Sequence, residues 1–143
     1  MLPRQPLLRA LAEPSGSTAA RETALIGRSI LLVEDEMIVA LDLQIALENA
    51  GAKVLGPMVR IADAHAAVQD GTNPVQGAIL DVTLNGDDVF PVADTLFERG
   101  IPFVLHTGQD DAAALTERFH GMPICAKPCL SRTVLQALGA LLT

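Results

Sequence analysis

From residue 29 onward, short apolar runs alternate with longer stretches whose apolar residues recur at helical spacing. "SILLVE" (29–34), "AKVLG" (52–56), "QGAILD" (76–81), "IPFVLH" (101–106) and "MPICA" (122–126) read as buried strands, bounded by Gly, Pro or polar residues. After the first strand, Ile38, Leu41 and Ile45 fall on one helical face, in a segment that ends at Gly51. Pro57 closes the second strand, and a helix is expected near 61–70. Further helices are expected from Phe90 to Arg99, near 110–119, and over 131–142, with Ser131 or else Cys129 as the cap of the last. Asp87 and Asp88 are expected to open the helix at Phe90, where acids favour the dipole.

Five strands alternating with five helices predict an α/β fold: a doubly wound five-stranded parallel sheet with helices on both faces. Right-handed crossovers leave few orders for such a sheet. The flavodoxin-like order 2-1-3-4-5 is expected, with a crevice at the carboxyl ends of strands 1 and 3. Residues 1–27, with "EPSGST" and no sustained period, read as a disordered N-terminal tail, and 28–143 as the folded domain. A short amphipathic helix around "LLRALA" fits within that tail.

Composition narrows this picture. The 143 residues suit one domain, and 50% hydrophobic with only 3% aromatic content means a core of Leu, Val, Ile and Ala. The net charge of −7 argues against binding to nucleic acid or an anionic membrane. Arg4, Arg9, Arg21 and Arg28 outnumber Glu13 and Glu22 in the first 28 residues, so the remainder is more acidic than the whole. No apolar run approaches the ~18 residues of a membrane span, and "MLPRQPLLRALAEP" interrupts its apolar residues with Arg and Pro, unlike a secretory leader. A cytoplasmic protein with reduced thiols is expected. Cys125 and Cys129 lack a second ligand pair at finger-like spacing and read as buried small side chains.

The candidate chemistry follows from the strand ends. Glu34 and Asp35 end the first strand, Asp81 the third, Thr107 the fourth and Lys127 the fifth, so all converge on one sheet edge. The second strand supplies none, as expected of a margin. Carboxylates held close repel one another and favour a hard divalent cation; oxygen ligands with retained waters suit Mg²⁺. With that charge screened, one carboxylate can act as a nucleophile toward a phosphoryl group, and a lysine and a hydroxyl can stabilise the phosphoryl oxygens. Asp81 thus reads as a phosphorylation site. Simpler roles exist for each neighbour: Glu34 or Asp35 as a helix cap, Thr107 satisfying a loop backbone group, Lys127 neutralising acid. His106 points opposite to Thr107 and reads as a packing or partner-face residue, while His65 and His120 read as surface residues on helices.

The ordered set "VEDE", "ILDVTL", "HTG" and "AKP" resembles the receiver domain of two-component response regulators, over about residues 29 to 143. The resemblance implies Asp81 as phosphoacceptor. It also implies Mg²⁺ bound by Asp81, by Asp35 directly, by Glu34 through water and by the Thr83 backbone carbonyl. Thr107 matches the switch hydroxyl and Lys127 the lysine paired to the phosphate, followed by Pro128, often in a cis peptide. The implied donor is a phosphohistidine on a sensor histidine kinase or histidine phosphotransfer protein; the receiver catalyses its own modification and is not a turnover enzyme. Output is expected through protein contacts, since no output domain follows the last helix. The face formed by the fourth helix, fifth strand and fifth helix would meet a downstream partner, with Cys125, Cys129 and Leu130 in or beside it, and the resemblance admits a homodimer. Ile124 stands where most receivers carry an aromatic, and Asn85 where a Pro is common. With "GIPFVLHTG" and "GDDVFPVAD", the chain is similar to a subgroup of alphaproteobacterial receivers that includes stress-response and single-domain FAT GUY types. Gln109-Asp110-Asp111 stand where that subgroup tends to carry a Tyr.

Two rival readings differ in class. Haloacid-dehalogenase-type phosphatases also use a strand-end Asp, but need a second Asp two residues on, and Thr83 occupies that place. A pseudo-receiver would keep the fold as an interaction module without phosphorylation; intact Asp81, Asp35, Thr107 and Lys127 count against it, and Ile124 leaves it open.

Overall fold

Strand order follows from the crossovers. In the computed structural model, which describes residues 18–108 and 112–143, a parallel sheet is built from β1 (Ser29–Val33), β2 (Lys53–Met58), β3 (Gly77–Asp81), β6 (Phe103–Thr107) and β7 (Ile124–Ala126). Its order is β2-β1-β3-β6-β7, the flavodoxin-like order expected. A small antiparallel hairpin, β4 (Thr83–Leu84) and β5 (Asp87–Asp88), lies in the connection after β3. The helices are α1 (Thr18–Thr23), α2 (Met37–Asn49), α3 (Ile61–Gln69), α4 (Phe90–Glu98), α5 (Ala112–Arg118) and α6 (Ser131–Leu142). Among the described residues, no helix is long and apolar enough to cross a membrane.

Both faces of the sheet are covered, which is why its inner strands are continuous apolar runs. Leu31, Val33, Leu80, Phe103 and Leu105 pack with residues of α3, α4 and α5. Their neighbours Ile30, Leu32, Ile79 and Val104 pack with Leu43 and Leu47 of α2 and Val134 and Leu138 of α6. Phe119, just beyond α5, gathers every other aromatic ring of the chain: its centroid lies 5.9 Å from Phe90, 5.9 Å from Phe97 and 5.5 Å from Phe103.

Several local expectations are corrected. Ile38, Leu41 and Ile45 share one face of α2 as expected, but that face is the outward one; the buried face is Ala40, Leu43 and Leu47. Both triplets have the same i, i+3, i+7 spacing on a helix apolar nearly all round, so periodicity alone cannot choose between them. Strand β2 does not stop at Pro57 but continues to Met58. It is an edge strand, where a missing N–H is tolerated, and its register with β1 shifts between Leu31 and Val33. Gly56 sits at that irregularity with φ 119°; a Cβ there would lie 2.5 Å from the Leu32 carbonyl oxygen, so only glycine fits. At α6 the cap position is Leu130, with no side-chain capping bond from Ser131 or Cys129. Of the acidic pair expected to open α4, both residues form β5, but Asp88 Oδ1 also accepts a hydrogen bond from the Phe90 N–H at 3.2 Å.

Within the stretch read as a tail, Thr18–Thr23 is helical, and Leu25 is buried against the α2–α6 face of the sheet. Gly139 makes room for α1: a Cβ at that position would stand 2.6 Å from the Arg21 carbonyl oxygen. A six-residue helix with its apolar anchor, Leu25, in the turn that follows leaves no periodic signal to read. Residues 1–17, including "LLRALA", lie outside the described residues, as do Gln109, Asp110 and Asp111.

Candidate functional site

Parallel strands end together, and the polar residues that end them share one pocket. A cavity of about 340 Å³ opens there, lined by Asp35, Glu36, Asp81, Thr83, Thr107 and Lys127, with Asn85 and Gly86 at its rim. Asp81 is the last residue of β3 and only 6% exposed. Thr107 ends β6, buried, and its carbonyl accepts the Lys127 N–H at 2.7 Å, which fixes where the lysine leaves β7. The Lys127–Pro128 peptide is cis, as the resemblance implies.

The Lys127 ammonium lies among three carboxylates. Its Nζ is 2.8 Å from Glu36 Oε1, 3.2 Å from Glu34 Oε1 and 3.4 Å from Asp81 Oδ2. Burial works against its charged form, yet the hydrogen bond to Glu36 and the charges of Glu34 and Asp81 outweigh it and hold the ammonium above the usual lysine range. Asp81 shows the opposite effect. Burial, then the hydrogen bond and charge of Glu34, push its carboxyl up to about 7, against the pull of Lys127. One cation does not compensate this cluster.

Glu34, 1% exposed, forms the floor. Its Oε2 accepts the Glu36 N–H at 3.2 Å, and its Oε1 lies 3.8 Å from His106 Nδ1. His106, paired in register with Asp81, is buried without a hydrogen bond at either ring nitrogen; burial and Lys127 lower its proton affinity. It is a packing residue rather than a partner-face one. His120 is exposed, and His65 is half-buried with Nε2 3.5 Å from Thr95 Oγ1.

Asp35 is positioned by the hairpin. Asn85 and Gly86 have φ of 52° and 87°, and the register pairs Thr83 with Asp88 and Leu84 with Asp87, the two-residue turn that Asn-Gly favours. The Asn85 N–H donates to Asp35 Oδ2 at 2.8 Å, and its side-chain amide donates to the Val59 carbonyl at 2.7 Å. Asn85→Ala should therefore lower stability by about 1–2 kcal/mol, through a lost hydrogen bond and a left-handed φ without Asn. A lower urea midpoint at unchanged slope would show it; an unchanged midpoint would refute it.

Every residue expected from sequence reaches this pocket or its floor: Glu34, Asp35, Asp81, Thr83, Thr107 and Lys127. Glu36 is the one that sequence reasoning passed over. It is the last letter of "VEDE", two residues from Glu34 in extended backbone, a spacing that turns both side chains the same way. Glu34, Glu36 and Asp81 each offer a carboxylate oxygen, all within 4.8 Å of one another. An all-oxygen, under-compensated set of this kind suits a hard divalent cation. Ile124 opens β7 half-buried, opposite Leu105. On the adjoining face Cys125 is buried and Cys129 half-buried, both free thiols, and Leu130 is exposed. Burial, with Cys129 beside it, pushes the Cys125 thiol up to about 11.

No family model and no curated protein matches this sequence. Solved structures do. A response regulator receiver protein from Sinorhizobium medicae superposes with a TM-score of 0.73 and 26% identity, over 81% of this chain and 94% of that one. The non-phosphorylated HemR receiver domain from Leptospira biflexa gives 0.69 and 22%, over 81% and 94%. The response regulator PhyR from Brucella abortus gives 0.69 and 21%, over 87% of this chain and 52% of PhyR, so the chain spans about half of that protein. With the sheet order, the acid-lined pocket at its carboxyl edge and these neighbours agreeing, the chain is built on the receiver-domain fold of response regulators.

Proposed function

We propose that this protein is a signalling receiver that accepts a phosphoryl group on Asp81 from a phosphohistidine of a sensor histidine kinase or histidine phosphotransfer protein. A carboxylate oxygen of Asp81 attacks phosphorus, the P–N bond to the donor histidine breaks, and the histidine nitrogen takes up a proton. The observation that carries this reading is Asp81 itself: a nearly buried carboxylate at the tip of the central strand, in an open pocket, with an ammonium 3.4 Å away.

Asp81, Asp35 and the Thr83 carbonyl, with Glu34 through water and Glu36 within reach of the same cluster, would hold Mg²⁺. When bound, that ion screens the carboxylates and favours ionised Asp81, the form that attacks. The rest falls to the chain. Lys127 exchanges its Glu36 partner for a phosphoryl oxygen, and Thr107 donates its hydroxyl to another. The product is stoichiometric rather than turned over, formed in the cytoplasm and read by a downstream protein at the α5–β7–α6 face.

The test is intact mass after incubation with Mg²⁺ and acetyl phosphate. The wild type should gain one phosphoryl group, labile to hydroxylamine, and Asp81→Asn none. An adduct that persists in Asp81→Asn would refute the assignment. No adduct, from acetyl phosphate or from a phosphohistidine donor, together with no Mg²⁺ binding, would identify an interaction module instead.

A further inference from the structure

We propose that the cleft between α1, the end of α2 and the start of α6 binds a small amphiphilic carboxylate. Gly139 lets α1 lie directly on α6, and Leu25, in the turn after α1, is anchored in the core. The three elements meet around a cavity of about 470 Å³, a size that suits a small molecule. It stays unfilled because α2 offers it only the small side chains of Ala46 and Ala50, one turn apart, with Asn49 beside them. None of its lining residues belongs to the pocket at Asp81.

The lining is apolar on one side and cationic on the other. Leu25, Ile26 and Leu135 supply apolar wall, and Ile26 is left 62% exposed at the mouth. Among the described residues, the charged ones that line the cavity are Arg21 of α1 and Arg132 in the first turn of α6, and no Asp or Glu joins them. That combination stands out in a chain of net charge −7. Elsewhere Arg60 is matched to Asp63, Arg118 to Asp94 and Lys127 to its three carboxylates.

This charge selects the ligand. Guanidiniums beside an apolar wall suit an anion with an apolar body, and a guanidinium takes a carboxylate through two parallel N–H···O bonds. The field of the whole acidic chain repels each further negative charge, which favours one carboxylate over a phosphate. A ligand held by Arg21 and Arg132 together would tie α1 to α6.

The test is titration of the full chain, carrying labelled Leu and Ile methyl groups, with octanoate. The Leu25, Ile26 and Leu135 signals should shift saturably, while that of Leu105, on the opposite face of the sheet, stays in place. Octan-1-ol has the apolar chain alone and inorganic phosphate the charge alone; each should bind at least ~10-fold more weakly. Arg21→Gln with Arg132→Gln should weaken octanoate by a similar factor and leave octan-1-ol unchanged. Gly139→Ala, whose Cβ would meet the Arg21 carbonyl oxygen at 2.6 Å and displace α1, should also weaken octanoate without moving Leu105. Absence of a saturable shift in the wild type would overturn the proposal. So would octanoate binding that is no tighter than octan-1-ol binding, or that survives the double arginine substitution.

Discussion

Lys127→Met is expected to cost roughly 3 kcal/mol of stability at pH 8 without divalent ions, the range for leaving a buried charge without its partner. The ammonium contacts Glu34, Glu36 and Asp81, and the first and last of these are almost wholly buried. Methionine keeps most of the stem and removes only the charge. Because Lys127 is held above the usual lysine range, its contribution is present throughout neutral pH and lost only in strong alkali. The deficit should therefore persist across pH 7–9 in urea melts, and Mg²⁺ should restore part of it by supplying the missing positive charge. Equal midpoints for wild type and variant at pH 8 would show that the ammonium is not what holds the cluster together.

Asp81→Asn should do the reverse. Asp81 titrates near 7 in the folded protein, against ~3.9 for an aspartate in an unfolded chain. Between those values the folded state binds the extra proton, so stability is fully present below about pH 4 and falls as pH rises through about 7. Asparagine has no such proton to lose. Without divalent ions, the variant should match the wild type to within a small constant offset near pH 4 and exceed it by about 2–4 kcal/mol at pH 8, from ~1.4 kcal/mol for each unit of displaced pKa. Thermal melts of both proteins across pH 4–8 with a chelator present check the trend, and added Mg²⁺ should narrow the gap. A gap independent of pH would mean that Asp81 is not the group carrying the excess proton affinity. The phosphorylation proposed for Asp81 and the stability of the fold would thus make opposing demands on one carboxylate, as expected where local strain serves a site.

The sheet order and the meeting of Asp81, Thr107 and Lys127 in one pocket were legible because both rest on strand ends. Continuous apolar runs mark buried parallel strands, and Asp81, Thr107 and Lys127 each stand where such a run stops. What escaped depends on contacts between segments. Glu36 became visible only when β7 brought Lys127 within 2.8 Å of it. The outward turn of α2 could not be read because two stripes of equal spacing compete and tertiary packing chooses. Asn-Gly is a common turn pair, but the grip of Asn85 on Asp35 and Val59 joins residues 50 and 26 positions away. Helix α1 relies on one leucine and on a glycine more than a hundred positions later.

The gathering of the other three phenylalanines around Phe119, in a chain without Trp or Tyr, has an optical consequence. The native protein has almost no absorbance at 280 nm and no tryptophan emission, and its near-ultraviolet dichroism arises from a single spot between α4, β6 and α5. That spot lies on the same side of the sheet as Ile124, which packs against the same cluster. Ile124→Trp would give the molecule its sole indole, beside the strand end that carries Lys127, and emission excited at about 295 nm would follow events in the pocket against a dark background.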